Sequence, residues 1–141
     1  MSRSTQWIAA ILFISLPTVM FGGHALLTFI RTHAPGYLDN PVRQDLFRAG
    51  HAHAGVWIVL ALVGMLYVDR LNLGETAAWV VRIGMAAAPI LISMGFFFSV
   101  VSPTATRPNG LIALVYVGAA CLAVAVVTMG VGLIRGAPGP K

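Results

Sequence analysis

The sequence predicts an all-α integral membrane protein built as a four-helix bundle. Hydrophobic residues make up 58% of the 141-residue chain and charged residues only 9%, whereas ordinary soluble domains carry about 25% charged residues. The mean hydropathy is +0.87. The apolar residues fall into four blocks, each long enough for the roughly 20 helical residues that cross a hydrocarbon core. The length allows one domain, 1–141, with helices expected over about 7–30, 41–68, 77–101 and 111–134.

The first block opens at Trp7 and closes before Arg31, an aromatic anchor at one interface and a charge at the other. Only Arg3 precedes it as a charge. It is longer than a signal h-region and ends without a convincing small-residue cleavage site, so a retained helix is expected. Pro17 invites a kink. His24, after Gly22 and Gly23, is costly in a membrane without a partner and reads either as bonded to a neighbouring carbonyl or as a ligand.

Residues 31–40 are rich in turn formers, with His33 expected in solvent. Asn40 followed by Pro41 is a helix start: the asparagine caps, and the proline sits at the first helical position, where its missing N–H costs nothing. Only isolated glycines interrupt the pattern until Asp69, so two polar turns lead into the second membrane helix. Asp69 to about Thr76 is a short polar link. On the third helix Arg82 is expected to snorkel to the nearby interface and Pro89 to bend the axis. Ser102 to Gly110 is a second turn-rich loop, and a Gly and Pro tail ends the fourth helix. Cys121, the single cysteine, lies inside the last block and has no internal disulfide partner. There is no internal repeat.

The net charge of +5 comes from nine Lys and Arg spread over loops and termini rather than aligned in a stripe, which excludes nucleic acid as the partner and points to anchoring at the surface of the lipid bilayer. Arg3, Arg70, Arg82, Arg135 and Lys141 fall on one side, and Arg31, Arg43, Arg48 and Arg107 on the other. The balance favours both termini in the cytoplasm of a bacterial inner membrane. All four acids, Asp39, Asp45, Asp69 and Glu75, lie in loops or at helix ends. That disfavours a proton relay, a carboxylate-bridged metal, a channel or a transporter.

Histidine is what remains, above all in the stretch from Asn40 to Gly55. His51 and His53, two apart, are separated by about 200° on a helix and cannot both ligate one metal. His51 has Arg48 at i−3 and Ala54 and Gly55 one turn on; His53 has Ala49 and Gly50 one turn before it and Trp57 one turn after. Small residues beside an imidazole leave a flat slot suited to a planar macrocycle, and they equally allow close helix packing. By depth, His24, His53, Ser99 and Tyr116 are expected at one level roughly 9 Å from the midplane, with Met94 a turn deeper. Structural zinc and zinc-protease patterns do not occur.

The order of these features resembles that of styrene oxide isomerase and, more distantly, the hydroxylaminobenzene mutases. The resemblance rests on Arg48-Ala49, on Ala52-His53-Ala54-Gly55, and on Gly95 to Pro103, with the aromatic run Phe96, Phe97 and Phe98 before Ser99. It implies haem b bound by a histidine at this place on the second helix, trimers with haem at the subunit interfaces, and a ferric Lewis acid that turns a small apolar epoxide into an aldehyde without net redox change. Transferred residue by residue, His53 matches the axial ligand, and His51 matches if the preceding turn is counted differently. Two positions depart from the pattern: Val59 stands where an asparagine is expected, and phenylalanine replaces a tyrosine in the aromatic run, placing Phe97 at the substrate position. Two other functions fit the residues: a haem protein for electron transfer or gas sensing, with His24 as a second ligand, and an accessory subunit of a larger membrane complex.

Overall fold

The structure is a computed structural model and describes residues 1–136; Lys141 and the Gly and Pro tail lie outside the described residues. It is an integral membrane four-helix bundle: α1 (Arg3–Arg31), α2 (Pro41–Val68), α3 (Glu75–Ser99) and α4 (Ala113–Gly136), the last preceded by a 3-10 turn over Gly110–Ile112. All four helices are long and apolar enough to cross a membrane. α1 begins four residues earlier than expected because Ser2 caps it, its hydroxyl accepting from the N–H of Thr5. α1 and α3 run unbroken through Pro17 and Pro89.

α3 is the centre. α2 packs on one flank of it and α4 on the other, while α1 leans on α2 and barely reaches α3. Close approach between α3 and α4 rests on missing side chains. A Cβ at Gly84 would come within 2.9 Å of the Cys121 carbonyl oxygen, one at Gly95 within 2.8 Å of the Val115 nitrogen, and one at Gly118 within 3.0 Å of the Ile92 nitrogen. These are backbone atoms, so the helices touch main chain to main chain, as small residues permit in membranes. α1 is the opposite case: it buries only Thr5 and Leu12 and presents Phe13, Ile14, Met20 and Phe21 outward.

Each end of the bundle is tied by one arginine. At the end carrying the 32–40 and 100–109 loops, Arg43 donates to the carbonyls of Gly36 (2.9 Å), Val100 (3.2 Å) and Val101 (3.4 Å), with its guanidinium over the Phe47 ring. Asn40 caps α2 as expected, accepting from the Arg43 N–H, and its amide also donates to the carbonyls of Pro103 and Ala105. At the other end Arg82 reaches back toward the interface as expected, but it is covered there and not left in solvent. It is 4% exposed and donates to Asp69 at 2.9 Å, to Thr5 at 3.0 Å and to Glu75 at 3.5 Å. The reason is partner supply: the C-cap of α2 and the first turn of α1 bring a carboxylate and a hydroxyl to it, which a buried guanidinium requires. Burial works against the charge of Asp69, but the Arg82 guanidinium, the Ser2 N–H and the Thr5 and Ser2 hydroxyls more than offset it, holding the carboxyl well below the usual carboxylate range.

Candidate functional site

α2 carries its chemistry on the two sides of one buried stripe. Gly50, Ile58, Ala61, Met65 and Val68 are the buried residues that define the stripe, and helical geometry puts His51 on one edge of it and His53 on the other. The two imidazoles meet different neighbours.

His51 turns toward α1. Its ring lies on Gly22 and Gly23, so close that a Cβ at Gly23 would stand 3.1 Å from both Cε1 and Nε2. The double glycine is therefore a bed for an imidazole, and a side chain there would displace it. Neither ring nitrogen of His51 makes a hydrogen bond among the described residues. Beneath it opens a cleft of about 370 Å³ walled by α1, α2 and α3, within the size range of small-molecule sites. On α1 it runs from Ile8 to Gly22, about 21 Å along the helix. It exists because α1 packs along α2, through Leu12 and Val19 among others, and barely reaches α3. Ser93 lines it and is 7% exposed, its hydroxyl without a hydrogen-bond partner among the described residues.

His53 turns toward α3. Its Nδ1 lies 2.7 Å from the Ala49 carbonyl oxygen. A carbonyl only accepts, so the proton sits on Nδ1 and the lone pair on Nε2. The ring is flanked by Phe96 at 5.1 Å and Trp57 at 5.9 Å between centroids. The Trp57 indole N–H is buried and has no partner among the described residues.

The remaining expected residues are distributed between these two sides. Gly50 is buried against Phe96 and Phe97, and Gly55 faces Val19 of α1. Phe97 lines the His51 cleft, whereas Phe98 is exposed. Val59 is 55% exposed and borders a shallow depression that also touches His51 and Gly55. Arg48 is exposed at the entrance of α2. The expected polar layer does not assemble. His24 and Tyr116 are exposed, and Ser99 spends its hydroxyl on the Phe96 carbonyl of its own helix. Equal depth on four helices leaves their facing free, and here the faces diverge. Ser93 was invisible in the sequence, because a serine in a membrane helix ordinarily bonds to its own backbone. No family model, curated protein or solved structure matches the chain.

Proposed function

We propose that the chain binds haem b through His53 and acts as a membrane isomerase that opens a small apolar epoxide to an aldehyde. The observation that carries the reading is the His53 hydrogen bond: a metal-ligating histidine almost always donates its other ring N–H to a carbonyl or carboxylate, which fixes the tautomer and raises the basicity of the ligating nitrogen. The surroundings fit a planar group. Ala49 keeps the turn before His53 low, Phe96 and Trp57 supply aromatic walls, and Gly50 is covered by Phe96 and Phe97. His51 fits less well, because its Nε2 is turned onto the α1 backbone at Gly23.

Ferric haem, when bound, supplies a Lewis acid that polarises an oxygen. This chain's residues hold and screen it: His53 presents Nε2, Ala49 keeps the ring from turning, and Phe96 and Trp57 exclude water. Val59 and Phe97 donate no proton or hydrogen bond, so selection of a substrate by this chain rests on apolar fit. His53 lies outside the cleft walled by α1, α2 and α3, which favours a macrocycle seated between copies, in a homotrimer as the resemblance implies. The substrate reaches it from the bilayer of a bacterial inner membrane, with both termini cytoplasmic. A haem protein with His24 as second ligand is the weaker reading, since His24 is exposed on α1 while His53 faces α3.

The test is an absorption spectrum of protein purified from haem-replete cells. A Soret band that is lost in His53→Ala and kept in His51→Ala is expected, followed by conversion of styrene oxide to phenylacetaldehyde. A colourless preparation overturns the reading.

A further inference from the structure

The His51 cleft lies on the opposite flank of α2 from His53 and shares only Phe97 with the function proposed above. Its walls are apolar: Ile8, Ile11, Leu12, Val19, Ile58 and Ile90. Its polar features are few and sit toward one end. His51 makes no hydrogen bond among the described residues. Ser93 is the more telling. Ser15, Thr18, Thr28, Ser99 and Thr128 each donate to a carbonyl three or four residues back, the usual way a hydroxyl is satisfied inside a membrane helix. Ser93 does not, although it is 7% exposed and its oxygen is shut off from solvent. A buried donor left unsatisfied costs about 1–3 kcal/mol. Ser93 lines a cleft of about 370 Å³, and turning its hydroxyl into that space would let a ligand complete the hydrogen bonding.

We propose that this cleft is a binding site for a compact, neutral, apolar molecule bearing one hydrogen-bond-accepting oxygen, which reaches it sideways from the bilayer through the gap between α1 and α3 and accepts from Ser93, with His51 as a second donor. Each feature restricts the ligand. Among the described residues no Lys, Arg, Asp or Glu lines the cleft, so a charged ligand would be stranded in a low-dielectric space. Ser93 lies two turns inside the α3 end at Ser99, too deep for a phospholipid headgroup to reach at the interface. One hydroxyl and one imidazole on the walls of the same cleft suit a single carbonyl, ether or epoxide oxygen. The opening lies between α1 and α3 because α1 packs on α2 and barely touches α3.

Benzophenone tests this directly, because it is apolar, carries one carbonyl oxygen, and on irradiation inserts into nearby C–H bonds with a preference for methionine; Met94 lines the cleft. Irradiation of the purified protein with benzophenone is expected to give a single saturable adduct at Met94, Ile90 or Ile11. Ser93→Ala should raise the half-saturating concentration about five- to tenfold, the loss of one hydrogen bond. Ala86→Leu, which fills the cleft from α3, should abolish labelling while the variant elutes and unfolds like the parent. Diphenylmethane, which lacks the oxygen, should compete five- to tenfold more weakly than unlabelled benzophenone against the parent protein and equally against Ser93→Ala. Labelling scattered over lipid-facing residues such as Ile14 and Val127, or unchanged in both variants, overturns the site. Equal competition by diphenylmethane against the parent overturns the role of the oxygen. The outcome is independent of any Soret band, so this site and the haem reading stand or fall separately.

Discussion

Gly118 and Gly130 lie on the same helix, yet replacing each by alanine should change stability in opposite directions. At Gly118 the new Cβ would lie 2.7 Å from the Ile92 side chain and 3.0 Å from the Ile92 nitrogen, whereas at Gly130 it would meet nothing within 4 Å. A main-chain atom cannot rotate away, so α3 and α4 must part by about half an ångström at Gly118, a strain of about 1–3 kcal/mol typical of overpacking. The helix-propensity gain of alanine over glycine, about 0.8–1 kcal/mol, offsets part of it. The net expectation is a loss of about 1–2 kcal/mol for Gly118→Ala and a gain of up to about 1 kcal/mol for Gly130→Ala. Unfolding in mixed micelles of rising SDS fraction, followed by far-ultraviolet circular dichroism, reads both. Trp57 packs against the buried Ala88, Ile92 and Leu122 cluster between α3 and α4, so its fluorescence should shift in the native state of the Gly118 variant alone. Midpoints moved in the same direction by similar amounts would refute the main-chain contact.

Asp69→Asn should cost about 2 kcal/mol at neutral pH, less than the ~3–5 kcal/mol for breaking a fully buried pair because Glu75 and Thr5 still reach the Arg82 guanidinium. The folded carboxyl is held below its ordinary value of 3.8, so its stabilisation is complete above that value and is lost as pH falls from there through the lower folded value. The acid arm of a melting curve measured below pH 4 should therefore flatten in the Asn variant; an unchanged acid arm counts against the clasp. Ser93→Ala in the ligand-free protein should leave the melting temperature unchanged or raise it, since it removes an unsatisfied hydroxyl. Ser99→Ala, which loses a bond to Phe96, should lower it. Asn40→Ala removes a helix cap and two loop anchors and should cost about 1–2 kcal/mol, visible as faster proteolysis in the 100–109 loop.

The number of helices was legible because apolar runs of membrane length have no other use, and the start of α2 because Asn-Pro at a helix entrance has a specific chemical meaning. The beginning of α4 was harder. Asn109 accepts from the Leu111 N–H and starts a 3-10 turn, so a hydropathy block does not coincide with the helix. What one-dimensional patterns omit is facing. Periodicity correctly separated His51 from His53, but it could not say that His51 would rest on Gly22 and Gly23, a contact between residues nearly thirty positions apart in sequence. Depth suggested a layer of His24, His53, Ser99 and Tyr116, and rotation of each helix about its axis dispersed it. The reach of Arg82 toward a nearby boundary was legible, but its partners Asp69 and Thr5 come from two other segments and were not.

The Arg82 clasp also bears on how the chain enters its membrane. Arg82 on α3, Asp69 at the end of α2 and Glu75 at the start of α3 belong to one hairpin, so the hairpin brings its own counter-ions. A guanidinium that would oppose insertion by about 2.5–3.5 kcal/mol at a helix centre is neutralised before α1 is needed. α1 contributes only hydroxyls and a backbone N–H to the cluster. α1 therefore adds no counter-charge to the clasp, and the cleft wall that it forms carries no ion pair to the rest of the bundle among the described residues.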